Sequence, residues 1–194
     1  MAVRESFAYV LTTASGESIT TVWSEPLSIA DVLKVFHALK QEGTVQDYLL
    51  FGSVAAMVHT RPFFTRDVDI GVAVSSDQEF LRIFNRLASF GRVLGHSIVI
   101  QDTPVEVFPV DISPIIRDAL DHPNRKRVEG VVVKVAPPEH LLLESLRVYR
   151  SQDKGRVFIL DDIVDRSELR ALFRRLDHDG TLKQRYEALT GKAP

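Results

Sequence analysis

The chain contains no cysteine among its 194 residues. This absence excludes disulfide bonds, thiol catalysis and zinc sites built from cysteine. No apolar run approaches the length of about 18 residues that a membrane-spanning helix requires. Arg4 and Glu5 lie where a secretory signal peptide would have its apolar segment. The sequence therefore predicts a soluble, cytoplasmic protein with no membrane partner.

The chain also has little net charge. Its 24 lysines and arginines oppose 26 aspartates and glutamates, which gives a formal charge of −2 at pH 7. This balance counts against extensive nonspecific binding to nucleic acid, although a local basic surface remains compatible with it. A hydrophobic fraction of 45% with 26% charged residues is typical of a globular domain. The length suffices for one core with a small extension.

The functional residue types are concentrated in residues 51–70. An apolar run ends in Gly52 and Ser53, a short apolar segment follows, and Asp67 and Asp69 open a second apolar run. This order predicts a strand, a glycine turn, a helix and a second strand. Because alternate residues of a strand face the same way, we expect Asp67 and Asp69 to share one face.

Two carboxylates on one face repel each other unless a cation neutralises them or one keeps its proton. Mg²⁺ is the expected cation, with Mn²⁺ as an alternative, because it takes oxygen ligands and often bridges carboxylates to substrate phosphates. Gly52 lets the backbone approach a phosphate, and Ser53 lies where helix amides attract anions. Taken singly, these motifs also occur as an ordinary turn and a solvated strand end. Their order favours a metal-assisted phosphoryl-transfer site.

A motif within residues 52–69 resembles the signature of the DNA polymerase β-type nucleotidyltransferase superfamily, and most closely its AbiEii-type branch, which includes toxins of toxin–antitoxin systems. The matching residues are Gly52, Ser53, Ala55, His59, Thr65, Asp67 and Asp69. The family often has an arginine two residues before the threonine, where this chain has Phe63. Arg61 and Arg66 lie nearby in the sequence and are alternative contacts for a triphosphate.

The resemblance implies an α/β fold in which a small mixed β-sheet is flanked by helices and followed by an α-helical C-terminal section. It implies Mg²⁺-dependent transfer of a nucleoside monophosphate from an NTP to a hydroxyl group. Asp67 and Asp69 would be catalytic metal ligands. The implied nucleotide-binding residues are Gly52, Ser53, His59, Thr65 and Arg66.

The resemblance also implies a third carboxylate, on a neighbouring strand, that would activate the attacking hydroxyl. Glu106 lies inside an apolar run, where an unpaired charge is expensive and a metal or another cation would explain it. Asp111 ends the same run, and its odd offset from Glu106 places the two on opposite faces of a regular strand. Pro109 interrupts that alternation, so both alternatives stay open. We favour Glu106 as the third catalytic residue and metal ligand.

Periodicity and turn signals predict the remaining organisation. Residues 1–24 form an N-terminal arm or hairpin, residues 25–136 the nucleotidyltransferase core, and residues 137–194 the helical section. Beyond the motif, the pattern predicts helices over 28–43 (capped by Ser28), 76–90, 114–120, 138–150, 157–165, 167–176 and 181–189, a hairpin from 97–100 and 105–110, a polar loop over 121–127 and a strand over 128–135.

The family's helical section often carries a basic residue near its start. Arg147, Arg150, Lys154 and Arg156 lie in this part of the chain, but their spacing does not match the family pattern. The sequence therefore assigns them no catalytic role.

The acceptor cannot be identified from the sequence. A tRNA 3′ end, a protein hydroxyl and a small molecule such as an aminoglycoside are the alternatives, and the branch resemblance adds a toxin role with a cognate antitoxin as partner. Two other functions compete with nucleotidyl transfer. One is an inactive nucleotidyltransferase fold that serves as a binding or regulatory module, and the other is a Mg²⁺-dependent phosphohydrolase.

Overall fold

A computed structural model describes residues 8–12, 18–22, 29–63 and 65–194. Strands β1 (Ala8–Thr12) and β2 (Ser18–Val22) pair antiparallel with each other, which matches the hairpin alternative for the N-terminal residues. The domain boundaries at residues 24 and 136 stay predictions. Ser28, predicted to cap the first helix, lies outside the described residues.

The other described strands form one mixed sheet. They are β3 (Tyr48–Phe51), β4 (Val68–Val72), β5 (Arg92–Leu94), β6 (Ser97–Ile100), β7 (Thr103–Pro109), β8 (Asn124–Val128) and β9 (Val131–Val135). Their order is β5-β6-β7-β4-β3-β9-β8. The pairs β4–β7 and β3–β9 are parallel, whereas the other neighbours are antiparallel. The predicted mixed sheet is confirmed.

Helices cover this sheet and form the C-terminal section. They are α1 (Ile29–Gln41), α2 (Gly52–His59), α3 (Asp77–Ala88), α4 (Pro114–Asp121), α5 (Pro138–Val148), α6 (Ser151–Asp161), α7 (Arg166–Leu176) and α8 (Thr181–Thr190). Helix α5 is buried along most of its length and contacts α2, α4, α6, α7 and α8. It therefore attaches the helical section to the core, and the predicted fold class is confirmed. No helix in the described ranges is long and apolar enough to cross a bilayer.

Strand β3 is apolar on both faces, whereas β4 is apolar on one face and carries Asp69 and Gly71 on the other. All four residues of β3 are buried, and β4 buries Val68, Ile70 and Val72. Continuous apolar runs suit central strands that are covered on both sides. Asp69 is the second residue of β4, and a carboxylate this close to the core requires a functional or structural reason.

The predicted polar loop over residues 121–127 is wrong in its second half. Strand β8 begins at Asn124 and forms a hairpin with β9. Glu129 and Gly130 have φ values of 44° and 86°, which fits a two-residue hairpin turn with positive φ. The strand was missed because β8 lies at the edge of the sheet and exposes Arg125, Lys126 and Arg127, so it lacks apolar alternation.

The predicted helix over residues 157–165 is also wrong in its bounds, because α6 starts six residues earlier, at Ser151. Tyr149 adopts a left-handed conformation with φ of 62° and ends α5. The Asp153 carboxylate accepts a hydrogen bond from the Arg150 backbone N–H at 3.1 Å and so begins the next helix at once. The predicted helix began only at residue 157 because residues 151–156 are polar and include Gly155.

Candidate active site

The turn between β3 and α2 holds Gly52 against Asp69. Phe51 pairs with Asp69 across the antiparallel strands, and α2 begins at the very next residue. Gly52 has φ of 60°, and a Cβ atom added there would lie 1.8 Å from Asp69 Oδ2. Only glycine therefore permits this approach. The backbone N–H of Ser53 donates a hydrogen bond to the Asp69 carboxylate.

Five carboxylates line the cleft beside this turn, three from the strand side (Asp67, Asp69 and Glu106) and two from the helical section (Glu144 and Asp153). Asp69 on β4 is in register with Glu106 on the parallel neighbour β7, which places both side chains on the same face. Asp67 directly precedes β4 and lines the same cleft. Burial, together with the charges of Asp67 and Glu106, raises the pKa of Asp69 to about 6, although Arg156 and the Ser53 N–H oppose this. The cleft thus concentrates negative charge that a cation would relieve.

The two alternatives for the third carboxylate occupy different surroundings. Asp111 lies in a 3-10 turn after β7 and accepts a hydrogen bond from Arg117 Nε at 2.6 Å, which lowers the pKa of its carboxyl group. Glu106 lies beside Asp69, and its Oε1 accepts a hydrogen bond from His96 Nε2 at 2.9 Å. Glu106 is therefore the one of the two that shares a face with Asp69. Its catalytic role stays a prediction.

The donor set fits Mg²⁺ by its chemistry, since Asp67, Asp69 and Glu106 offer only carboxylate oxygens. In the described part of the chain, no three histidine, aspartate or glutamate side chains are already gathered around a point that a metal ion would occupy. Groups of the protein donate hydrogen bonds to these carboxylates instead. Thr65 Oγ1, for example, donates to Asp67 Oδ1 at 3.2 Å. Binding of a metal would therefore require these side chains to turn toward it.

Two clefts meet at these residues. The first, which we call the arginine cleft, has a volume of about 510 Å³ and includes Phe63, Thr65, Arg66 and Arg156. The second, the carboxylate cleft, has a volume of about 480 Å³ and includes Asp69 and Glu106. Both clefts are lined by Ser53, Asp67, Gln152 and Arg156. Of the predicted nucleotide-binding residues, Thr65 and Arg66 therefore lie in the arginine cleft, Gly52 in the carboxylate cleft and Ser53 in both.

His59 lies elsewhere. Its Nε2 donates a hydrogen bond to the Ala136 carbonyl oxygen at 2.8 Å and so links the end of α2 to the segment before α5. Burial lowers the pKa of His59, although the bond to Ala136 opposes this. His59 is not among the residues that line either cleft. The structure gives it a packing contact, and its nucleotide-binding role stays a prediction.

A scan against protein-family models finds no match, and a search of the curated proteins finds none either. Solved structures do match. One is an antigenic nucleotidyltransferase-like protein from Paracoccidioides brasiliensis, which is 18% identical to this chain, with a TM-score of 0.51. The match covers 87% of this chain and 100% of that protein's chain. The chain has a nucleotidyltransferase-like fold.

Two structures of the antibiotic-resistance factor ANT(2'')-Ia are also similar. The crystal structure in complex with adenylyl-2''-tobramycin is 12% identical, with a TM-score of 0.48, and covers 75% of this chain with 97% of its own. The solution structure is 14% identical, with a TM-score of 0.49, and covers 84% of this chain with 96% of its own. At these identities the comparisons show only the fold. The AbiEii-type branch stays a prediction.

The sequence assigned no role to Arg156, but the fold brings this residue to the site. Its Nη2 donates to Ser53 Oγ at 2.8 Å across 103 positions of sequence, and its Nη1 lies 3.4 Å from Asp153 Oδ1. The side chain is only 15% exposed. The helix was predicted to start at residue 157, so Arg156 lay just outside the predicted element. No local pattern in the sequence points from the helical section to Ser53.

Proposed function

We propose that this protein is a Mg²⁺-dependent nucleotidyltransferase that moves a nucleoside monophosphate from an NTP to a hydroxyl acceptor. The observation that carries this proposal is the register of Asp69 with Glu106 on neighbouring strands, with Asp67 at the same cleft. A half-buried group of carboxylates beside a helix N-terminus and Arg156 suits a substrate that brings phosphates and cations together. The nucleotidyltransferase-like fold is consistent with this chemistry.

Each residue has a distinct part in the proposed reaction. Mg²⁺ would be held by Asp67, Asp69 and Glu106 and would neutralise the charge of the phosphates. Gly52 and Ser53 place the first amides of α2 near the phosphates, and Arg156 reaches the same place from α6. Glu106 accepts the proton of the acceptor hydroxyl. The acceptor oxygen then forms a bond to the α-phosphorus, and the bond to pyrophosphate breaks.

One observation favours the rival interpretation, a non-catalytic binding module. Within the described ranges the carboxylates are not gathered around a metal position, and protein groups hydrogen-bond each of them. A module would bind NTP without transferring it. The toxin role and its antitoxin rest on the sequence motif alone and stay predictions.

A labelling assay tests the proposed function. Purified protein is incubated with Mg²⁺, each of the four α-labelled NTPs and a cell extract, and a parallel set contains EDTA. We expect label on an acceptor with Mg²⁺ and none with EDTA, because charge neutralisation by the ion is required. Mg²⁺-dependent NTP binding without transfer would identify the binding module. Release of labelled nucleotide without a labelled acceptor would identify a hydrolase, and absence of both binding and transfer would overturn the proposal.

Arg156→Ala is expected to raise the KM for NTP by about 10- to 100-fold, with a smaller effect on kcat. Loss of one charged hydrogen bond to a phosphate costs about 1.5–3 kcal/mol, which corresponds to this range. Arg156→Lys should recover part of the affinity, because the charge remains but the planar fork is lost. Steady-state kinetics with varied NTP measures both variants.

The matched control is Arg174→Ala, which removes an exposed arginine of α7 that is not among the lining residues of either cleft. It should leave KM and kcat unchanged. An unchanged KM in Arg156→Ala would show that Arg156 only packs α6 against Ser53.

A further inference from the structure

We infer that the acceptor binds in the carboxylate cleft and that it is a compact, neutral or cationic alcohol with an apolar face rather than a nucleic acid. This inference rests on the proposed function, and it names the substrate class of the same site. It follows from the way the two clefts divide the reacting groups and from the charges and apolar side chains of the carboxylate cleft.

In-line displacement separates the two substrates. The attacking and leaving oxygens lie on opposite sides of the reacting phosphorus. The two clefts meet at Ser53, Asp67 and Arg156, which places the α-phosphate between them. The arginine cleft contains Arg66 and Arg156 against the single carboxylate of Asp67, so it suits the polyphosphate chain. The acceptor therefore enters from the carboxylate cleft.

The candidate base lies on that side. Glu106 lines the carboxylate cleft and is not among the residues of the arginine cleft. A base must come within hydrogen-bond reach of the hydroxyl proton that it accepts. The position of Glu106 therefore independently places the acceptor hydroxyl in the carboxylate cleft.

The charges of this cleft disfavour a polyanionic acceptor. Arg147 donates to Glu144 at 2.6 and 2.8 Å, and Arg150 donates to Asp153 at 2.8 Å. Both arginines are thus already ion-paired with carboxylates of the same cleft. Asp69 and Glu106 add further negative charge. Five carboxylates and three arginines line this cleft, so one bound Mg²⁺ would only bring its formal charge to zero. No positive charge would remain for a second phosphate chain, whereas an amine or an uncharged alcohol needs none.

The exposed basic residues of the sheet, which are Arg92 on β5 and a cluster on β8, do not line the carboxylate cleft. Arg125, Lys126 and Arg127 lie on β8, which is three strands from β4 and therefore about 14 Å away at about 4.8 Å per strand. They are not among the residues that line the carboxylate cleft. A nucleic acid held at this edge would not have its backbone neutralised next to Glu106.

An apolar wall completes the carboxylate cleft. Ile112 is 62% exposed and Val148 is 38% exposed, and both line the cleft with Phe108 and Ile116. Large apolar side chains that remain open to solvent at the edge of a polar cleft are typical of ligand-binding surfaces. The wall lies on the same side as Glu106, so it would contact the body of the acceptor while its hydroxyl faces the carboxylates.

The test divides a cell extract into three acceptor probes: a dialysable small-molecule fraction, total RNA and a protein fraction. The full chain is incubated with each probe, Mg²⁺ and α-labelled NTP. We expect label in the dialysable fraction, on a product whose acceptor part carries no phosphate. Label on RNA or on protein would overturn the inference while leaving the proposed function intact. Absence of label from every fraction would overturn the proposed function itself.

A variant then tests the apolar wall. Ile112→Lys should raise the KM for the labelled small acceptor by about tenfold or more, which is the loss expected for a buried apolar contact. The KM for NTP should not change. Val132→Lys is the matched control, because Val132 is 51% exposed on β9 and is not among the lining residues of either cleft. Equal KM values for the acceptor in both variants would overturn the assignment of the wall.

Discussion

Asp69→Asn is expected to reduce nucleotidyl transfer by at least about a hundredfold while it stabilises the metal-free protein. Removal of a single preorganised charge-stabilising group typically costs about 100- to 1,000-fold in rate. Asparagine keeps the shape of the side chain and still accepts the Ser53 N–H, so the turn into α2 should remain intact. The loss would therefore report the missing charge and not a rearranged backbone.

The gain in stability follows from the pKa of Asp69. Its pKa of about 6 in the folded protein lies above the ordinary aspartate value of 3.8, so the folded state binds the proton more tightly than the unfolded state. Ionisation of Asp69 therefore disfavours the fold, fully so above about pH 6. A shift of this size corresponds to about 3 kcal/mol, and water in the cleft reduces the expected gain to about 2 kcal/mol. The gain should shrink as the pH falls below about 6 and should be mostly lost at pH 4, where the carboxyl group is protonated in the folded state and about half protonated in the unfolded state.

Transfer assays with Mg²⁺ measure the loss of activity, and urea unfolding in EDTA at pH 8 and pH 4 measures the change in stability. Two further variants serve as controls for the third carboxylate. Glu106→Gln should also lose transfer, whereas Asp111→Asn should keep it and lose only its ion pair with Arg117. Retained transfer in Asp69→Asn, or lower stability at pH 8, would contradict the role assigned to this carboxylate. If Asp111→Asn lost nucleotidyl transfer and Glu106→Gln kept it, Asp111 would be the third catalytic carboxylate.

Gly52→Ala is expected to reduce transfer by about a hundredfold and to destabilise the fold. The added Cβ would lie 1.8 Å from Asp69 Oδ2 and 2.6 Å from its Cγ, so the carboxylate must move. A displacement of about 1 Å in a catalytic group commonly costs about a hundredfold in rate. Alanine in the left-handed conformation adds about 1–2 kcal/mol of strain. Thermal unfolding and the labelling assay measure the two losses.

Gly43→Ala separates the strain from the collision. Gly43 has φ of 75°, close to that of Gly52, but an added Cβ there meets nothing within 4 Å. It should cost only the conformational strain and leave transfer unchanged. If Gly52→Ala does not fold, Gly52→Ala combined with Asp69→Ala removes the two closest colliding atoms and should recover most of the stability. Similar behaviour of the two glycine variants would show that the contact with Asp69 is unimportant.

The sequence by itself determined the central pattern of this protein. The order of apolar runs, glycine and aspartates around Gly52, Asp67 and Asp69 predicted the strand, turn, helix and strand that the structure contains. Hydrophobic periodicity likewise predicted the flanking helices and the hairpin that carries Glu106. These features were predictable because they depend on neighbours within a few residues, where the periods of strands and helices act directly.

Other features were decided only by the tertiary structure. The contact of Arg156 with Ser53 spans 103 positions, and the contact of His59 with Ala136 spans 77. Neither has a local signal in the sequence, because both depend on how α5 and α6 pack against the core. The same packing created the two clefts, which are lined by residues of α5 and α6. Local patterns specify which face of an element a residue occupies, whereas the partner of that face is specified by the packing of distant segments.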